Sequence, residues 1–146
     1  MLNLSKSCKI SKAISVTAGA AGSTDIEGTI IDMQGFESIC FIITLGAITS
    51  GAVTSAKVQQ DDANAAGGMA DLAGTSITIA DDDDEEVIYL DVIKPSKRYV
   101  RLYIDRATQN AAMTANAVQY GALKEPVTHG TGVSGETTIE PAEGTA

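Results

Sequence analysis

The sequence predicts an all-β protein, an antiparallel β-sandwich of the jelly-roll type with about eight strands. Short segments rich in Ile, Val, Thr and aromatic residues recur along the chain, separated by Gly, Asp, Asn and Ser clusters. This is the pattern of strands joined by turns. No segment repeats apolar residues at the i, i+3, i+4, i+7 spacing that an amphipathic helix requires. At 146 residues, the chain has the size of a single domain.

Each predicted strand follows from its local pattern. Ser38–Leu45 is β-branched, aromatic and uninterrupted, which is typical of a strand covered on both faces or of one at the centre of a sandwich. Segments 53–60 and 98–105 alternate with a period of two, which predicts one polar face on each. Gly28 interrupts the second strand and is a candidate bulge. The eight predicted strands are 10–16, 26–33, 38–45, 53–60, 75–79, 87–92, 98–105 and 115–120.

The segments outside these strands have a different composition. We expect an N-terminal arm at 1–9, the sandwich at 10–123, and an extended acidic tail at 124–146. Residues 61–73 predict a loop that could include one helical turn around 69–72. Residues 125–146 contain four Glu and no Lys or Arg, and they have too few apolar groups to fold alone. We therefore expect a neighbouring subunit or a partner surface to hold this tail.

Composition and charge argue against several classes of function. The chain has 19 acidic and 10 basic residues, a formal charge of −9. This balance disfavours both nucleic acid and an anionic membrane as partners. One His and two Cys are too few for a Cys-His zinc site. We expect no enzyme activity, no cofactor and no metal. Cys8 and Cys40 are predicted to be free thiols, with Cys40 in the core.

Two charged clusters remain. Asp81–Glu86 predicts a solvated loop, and a divalent-cation site is the alternative. The second cluster begins at Lys94 and ends at Arg106, with Tyr99 and Tyr103 interleaved. It fits an exposed strand face balanced by carboxylates, a protein interface, or a nucleic-acid site. The candidate partner-binding residues, taken from this cluster, the basic arm and the tail, are Lys6, Lys9, Lys12, Arg98, Tyr99, Arg101, Tyr103, Val127, His129, Val133 and Ile139.

Four blocks of sequence carry a resemblance. They are 28–38 with the apolar strand that follows, 53–62, 70–75 and 97–101. Together they resemble small virion proteins of tailed bacteriophages and prophages, most closely the capsid decoration (cement) proteins, over residues 26–123. The resemblance implies a protein without catalytic residues on the outer capsid surface of the virion, assembled in the host cytoplasm. Its implied partners are the major capsid protein, whose neighbouring subunits it would clamp, and itself, as a dimer or trimer.

Two other functions remain open at the level of sequence. The first is another virion role, namely head–tail joining, tail terminator or tail tube protein. The second is a carbohydrate- or receptor-binding module, because jelly rolls also serve as lectins. Trp is absent from the chain, which disfavours a sugar-binding platform.

Overall fold

In the computed structural model, residues 3–139 and 142–144 are described, so 1–2, 140–141 and 145–146 of the predicted arm and tail lie outside the described residues. Almost all regular structure is β. The elements are α1 (Leu4–Ser7), β1 (Lys9–Ile14), β2 (Ile26–Glu27), β3 (Ile31–Asp32), β4 (Phe36–Ile48), β5 (Val53–Asp61), a 3-10 turn (Ala66–Gly68), β6 (Ala70–Asp71), β7 (Ile77–Ile79), β8 (Val87–Ile93), β9 (Tyr99–Thr108) and β10 (Ala111–Ala122).

The strands form two antiparallel sheets that pack as a sandwich. Sheet A has the order β1-β10-β4-β8. In sheet B, β9 and β5 are central, β2 and β3 both pair with β9, and β6 and β7 both pair with β5. If β2/β3 and β6/β7 are each counted as one interrupted strand, eight strands alternate between the sheets except where β5 leads to β6. This is jelly-roll connectivity, which confirms the predicted fold class.

The core lies between the inner faces of the two sheets. On β4, Ile39, Phe41 and Ile43 are fully buried. On β9, Val100, Leu102 and Ile104 are fully buried as well, which confirms the period-two alternation predicted for that strand.

The second predicted strand is split at Gly28. The Gly28 amide donates to the Leu102 carbonyl at 2.9 Å, and the next amide, Thr29, donates to Ala13 of β1 at 2.8 Å. The chain therefore leaves sheet B here and contacts the edge of sheet A. A Cβ at position 28 would lie 2.5 Å from the Leu102 carbonyl oxygen, so this close approach requires glycine.

Three local expectations differ from the structure. The predicted arm contains the one-turn helix α1. The helical turn of the 61–73 loop lies at Ala66–Gly68, and Ala70–Asp71 instead pair with β5 as strand β6. Cys40 lies on the outer face of sheet A, because the odd-numbered residues of β4 occupy the core. Both cysteines are free, and partial burial raises the pKa of each thiol.

Among the described residues, no helix has the length and apolar composition to cross a membrane.

Candidate interaction surfaces

The outer face of sheet B holds the predicted aromatic and basic residues of β9. Arg101 points away from the core, yet it is only 4% exposed. Its Nη1 donates to Glu27 Oε2 at 2.9 Å and its Nε donates to Gln59 Oε1 at 2.8 Å. The neighbouring side chains of β2 and β5 thus enclose the guanidinium and satisfy it within the chain.

Arg98 is held in a similar way at the edge of this face. Its Nε and Nη2 donate to the two carboxylate oxygens of Asp32 at 2.8 and 2.7 Å, and Nη2 also donates to Gln34 at 2.6 Å. This fork-shaped pairing keeps the pKa of Asp32 below its usual value. The guanidinium carbon lies 5.1 Å from the centroid of the Tyr99 ring.

Tyr103 is similarly engaged by its neighbours. Its hydroxyl donates to Asp25 Oδ2 at 2.7 Å, and this hydrogen bond, together with burial, raises the pKa of Tyr103 to about 12. Lys57 Nζ lies 5.1 Å from the Tyr103 ring centroid and 2.8 Å from Asp71. Carboxylates therefore neutralise most of the cationic side chains of this face, as the balanced-face interpretation expects. The contact role of Arg98, Tyr99, Arg101 and Tyr103 stays a prediction.

Arg106, at the end of the predicted basic cluster, is buried at 5% exposure. Its guanidinium donates to the carbonyls of Thr24, Ala20 and Ala111 at 2.6, 2.9 and 2.7 Å. The side chain thereby fastens the loop after β1 to the start of β10. In this structure Arg106 therefore stabilises the fold through hydrogen bonds within the chain, and its guanidinium is not exposed to a partner.

The second set of predicted residues meets at what we call the terminal seam, residues 3–12 and 127–137. Val127 donates its amide to the Lys6 carbonyl at 2.9 Å, and Gly130 donates to the Ile10 carbonyl at 2.8 Å. The Ile10 amide in turn donates to His129 Nδ1 at 3.1 Å. The tail therefore runs along the free edge of β1.

This arrangement corrects the expectation that a neighbouring subunit holds the tail. The chain's own N-terminal segment holds residues 127–137 of the tail, because the free backbone groups of β1 offer partners to a segment with few apolar groups. The seam also includes Lys9, Lys12 and Val133, whereas Ile139 is 67% exposed beyond it. A groove of about 500 Å³ lies beside the seam, lined by β1, β2, β3 and Gly130.

The sequence prediction did not identify the outer face of sheet A as a candidate surface. On β8, Val87, Tyr89 and Ile93 are 61%, 69% and 70% exposed, and Ile42 on β4 lies beside Tyr89. Large apolar side chains grouped on one face mark interaction surfaces more often than scattered ones do. The available signal was that β8 carries large apolar residues at both alternating sets of positions, although only one set can face the core: Val87, Tyr89 and Ile93 on one side, and Ile88, Leu90 and Val92 on the other.

The acidic run Asp81–Glu86 holds a neighbouring turn in place through hydrogen bonds from backbone amides to its carboxylates. The Asp81 carboxylate accepts a hydrogen bond from the Gly51 amide at 2.5 Å, and Asp84 Oδ1 accepts one from the Ile48 amide at 2.6 Å. These bonds hold the connection between β4 and β5. Within residues 3–139 and 142–144, no group of three or more His, Cys, Asp or Glu side chains is placed to hold a metal ion.

Comparison with known proteins adds evidence on the fold. No family model matches the sequence, and a search of curated proteins found no match. Two solved structures share the architecture. The SPBc2 prophage-derived protein YomS matches with a TM-score of 0.51 and 13% identity, over 82% of this chain and 97% of YomS. The PBSX exported protein XepA matches with a TM-score of 0.54 and 16% identity, over 99% of this chain. The chain spans about half of XepA, 46% of its length.

Proposed function

We propose that this chain is a bacteriophage virion protein that decorates the capsid, binding the outer surface of the assembled head and clamping neighbouring major capsid protein subunits. The observation that carries the proposal is the outer face of sheet A, where Ile42 and Tyr89 belong to an exposed apolar surface on a rigid sheet. The prophage-derived protein YomS and the PBSX exported protein XepA share the fold, and the four sequence blocks resemble decoration proteins. Both facts support a phage origin.

The binding mechanism follows from the rigidity of the sandwich. Sheet A presents its apolar side chains in fixed positions, so little conformational entropy is lost when they contact a capsid surface. Many copies on one shell bind with avidity, because each neighbour raises the effective concentration of the next contact. A protein that contacts two capsid subunits at once prefers the assembled head, since the isolated subunit offers only half of the site.

The test is a binding assay on heads that lack this protein, with unassembled capsid protein as the comparison. We expect binding to heads only, and a bound copy number comparable to that of the major capsid protein. Ile42→Ser removes apolar surface from the centre of the outer face and should reduce occupancy of the heads. Leu123→Ser is the matched control, because Leu123 is 80% exposed and lies outside sheet A.

Three results would contradict the proposal. Equal binding to unassembled capsid protein removes the preference for the assembled head. Only a few copies per virion would assign the chain to the neck or tail. An Ile42→Ser variant that binds as well as the Leu123→Ser control would show that the outer face of sheet A is not the binding surface.

A further inference from the structure

Three of the four sheet edges in the described part of the chain are protected against pairing with another strand. Sheet B ends on one side in β2 and β3, of two residues each, and on the other in β6 and β7, of two and three residues. The β1 edge of sheet A carries a bulge between Lys12 and Ile14 and is covered by the tail. Short, bulged or covered edges are the usual ways in which proteins avoid pairing between sheets.

The fourth edge, β8, has none of these protections. Its seven residues pair with β4 in an unbroken register from Val87 to Ile93. The strand contains no Lys, Pro or Gly. An edge that is long, regular and apolar is a template for a further strand.

The free backbone groups of β8 are defined by its pairing with β4. Leu45 donates to the Glu86 carbonyl at 2.8 Å, and the Lys94 amide donates to Glu37 at 3.1 Å. Even-numbered residues therefore exchange hydrogen bonds with β4. The amides and carbonyls of the odd-numbered residues 87, 89, 91 and 93 point away from the sheet, towards an incoming strand.

The sequence of β8 is complementary to itself in one antiparallel register. With Leu90 on a two-fold axis, Val87 lies opposite Ile93 of the partner subunit, and Tyr89 lies opposite Asp91 of the partner subunit. Apolar residues meet apolar ones, and the phenol meets a carboxylate. The odd-numbered residues also fall into hydrogen-bonded pairs, which is the parity that the free backbone groups require. Shifting the axis to residue 91 would instead place two aspartates opposite each other.

The same register brings opposite charges together at both ends of the paired strands. Glu86 lies next to Lys94 of the partner subunit, and Lys94 lies next to Glu86 of the partner subunit. Both side chains are exposed, and neither forms a salt bridge with any described residue. The acidic end of one strand and the basic end of the other are therefore complementary, which favours a second copy of this chain as the occupant of the edge.

We propose that two copies of this chain pair through β8, antiparallel about Leu90, and join their A sheets into one eight-stranded sheet. The exposed Val87, Tyr89 and Ile93 of both copies then form one apolar surface across the dimer. This proposal rests on the β8 edge and goes beyond the decoration function, since the dimer can be measured with the purified protein in the absence of capsids.

The test is sedimentation equilibrium of the full chain and of charge-swapped variants. Glu86→Lys and Lys94→Glu each replace two attractions per dimer with two repulsions, so each should raise the dimer dissociation constant about tenfold or more. The double variant restores both pairs and should return the constant to within about threefold of the wild-type value. Glu136→Lys makes the same change in net charge as Glu86→Lys at an exposed tail position, and should leave the constant unchanged.

Hydrogen exchange provides a second measurement that does not depend on any variant. Raising the protein concentration should slow exchange of the amides at 87, 89, 91 and 93, and leave the already bonded amides at 88, 90 and 92 unchanged. A wild-type monomer at millimolar concentration would overturn the proposal. So would a trimer, a double variant as weak as the single ones, or slowed exchange at the even-numbered amides. If the wild-type protein forms the dimer but does not bind heads, that result would count against the decoration function and not against the dimer.

Discussion

The two edges of sheet A are built in opposite ways. The β1 edge is covered by the chain's own tail, whose amide at Gly130 and ring nitrogen at His129 complete the hydrogen bonds of Ile10. Among the residues that the structure describes, none covers the β8 edge in this way, and the strand exposes apolar side chains. The comparison shows that a polar, glycine-rich segment can close one edge of a sheet, whereas a long, regular and apolar edge remains a template for a further strand.

The two edges also differ in the free energy of closing them. Tail docking must order a segment that is free when undocked, and this loss of conformational entropy offsets much of the stabilisation from its hydrogen bonds. Pairing of two β8 strands joins segments that β4 already holds in place. We therefore expect the terminal seam to open locally more often than the sandwich unfolds.

The largest effect on this comparison should come from removing the tail. A chain that ends at Lys124 loses the bonds to Lys6 and Ile10 and leaves the β1 edge as open as that of β8. We expect the free energy of unfolding to fall by about 1–3 kcal/mol, measured by urea denaturation. Sedimentation should also show new association at high concentration.

The control for this truncation is a chain that ends at Ile139. It keeps the seam contacts of Val127, His129 and Gly130, so its stability and association should match those of the full chain. If the chain that ends at Lys124 is as stable as the full chain, the seam contributes nothing to the stability of the folded state.

A smaller effect is expected from Gly130→Val, which separates the tail from β1 without deleting it. A Cβ at position 130 would lie 2.7 Å from Ser11 Oγ and 3.1 Å from Ser11 Cα, so the tail must move away. We expect a loss of about 1–2 kcal/mol by urea denaturation, since two of the seam's hydrogen bonds depend on this approach. Gly135→Val is the matched control, because nothing lies within 4 Å of a Cβ there. Equal losses in the two variants would mean that the close contact at Ser11 is unimportant.

The smallest expected effect comes from removing the hydrogen bond that joins Tyr120 of β10 to Asp91 of β8 on the outer face of sheet A. The Tyr120 hydroxyl donates to Asp91 Oδ1 at 2.8 Å. Burial, and next this bond, raise the pKa of Tyr120 above its usual 10.0, so the stabilisation is complete below pH 10 and is lost as the pH rises further. Tyr120→Phe should cost about 0.5–1 kcal/mol at pH 8, with the difference from wild type shrinking above pH 10.

Tyr103→Phe on sheet B is the comparator for this pH dependence. The pKa of Tyr103 is about 12, so its stabilisation is complete below pH 10 and is lost between pH 10 and pH 12. The difference in urea midpoint between wild type and Tyr103→Phe should therefore shrink between pH 10 and pH 12. A Tyr120→Phe difference that does not change with pH would contradict the role of the hydroxyl proton.

The sequence was sufficient to predict the strands because their signals are local. Alternation predicted that Val100, Leu102 and Ile104 face the core, and the eight predicted segments each overlap strands of the structure. Gly28 was correctly identified as an irregular point. Its reason, a close approach to Leu102, depends on a strand that lies far away in sequence.

The surfaces could be predicted much less well, because they depend on which distant segments meet. Arg101 was expected to be exposed from its alternation, yet Glu27 and Gln59 from two other strands enclose it. The tail was expected to need a second protein, because pairing between His129 and Ile10 leaves no trace in local periodicity. Nor does the apolar character of β8 indicate by itself whether its outer face is covered.

The pairing of β1 with β10 has a consequence for synthesis of the protein. The first and the last of the described strands lie side by side in sheet A, and the segment that covers β1 comes later still. A ribosome must therefore synthesise everything from β1 to β10 before this sheet can close. Contacts between such distant segments fold slowly, so the nascent protein exposes the edges of β1 and β4 until β10 arrives. The β1 edge stays uncovered longer still, because the segment that contacts it, at Val127–Gly130, is synthesised after β10.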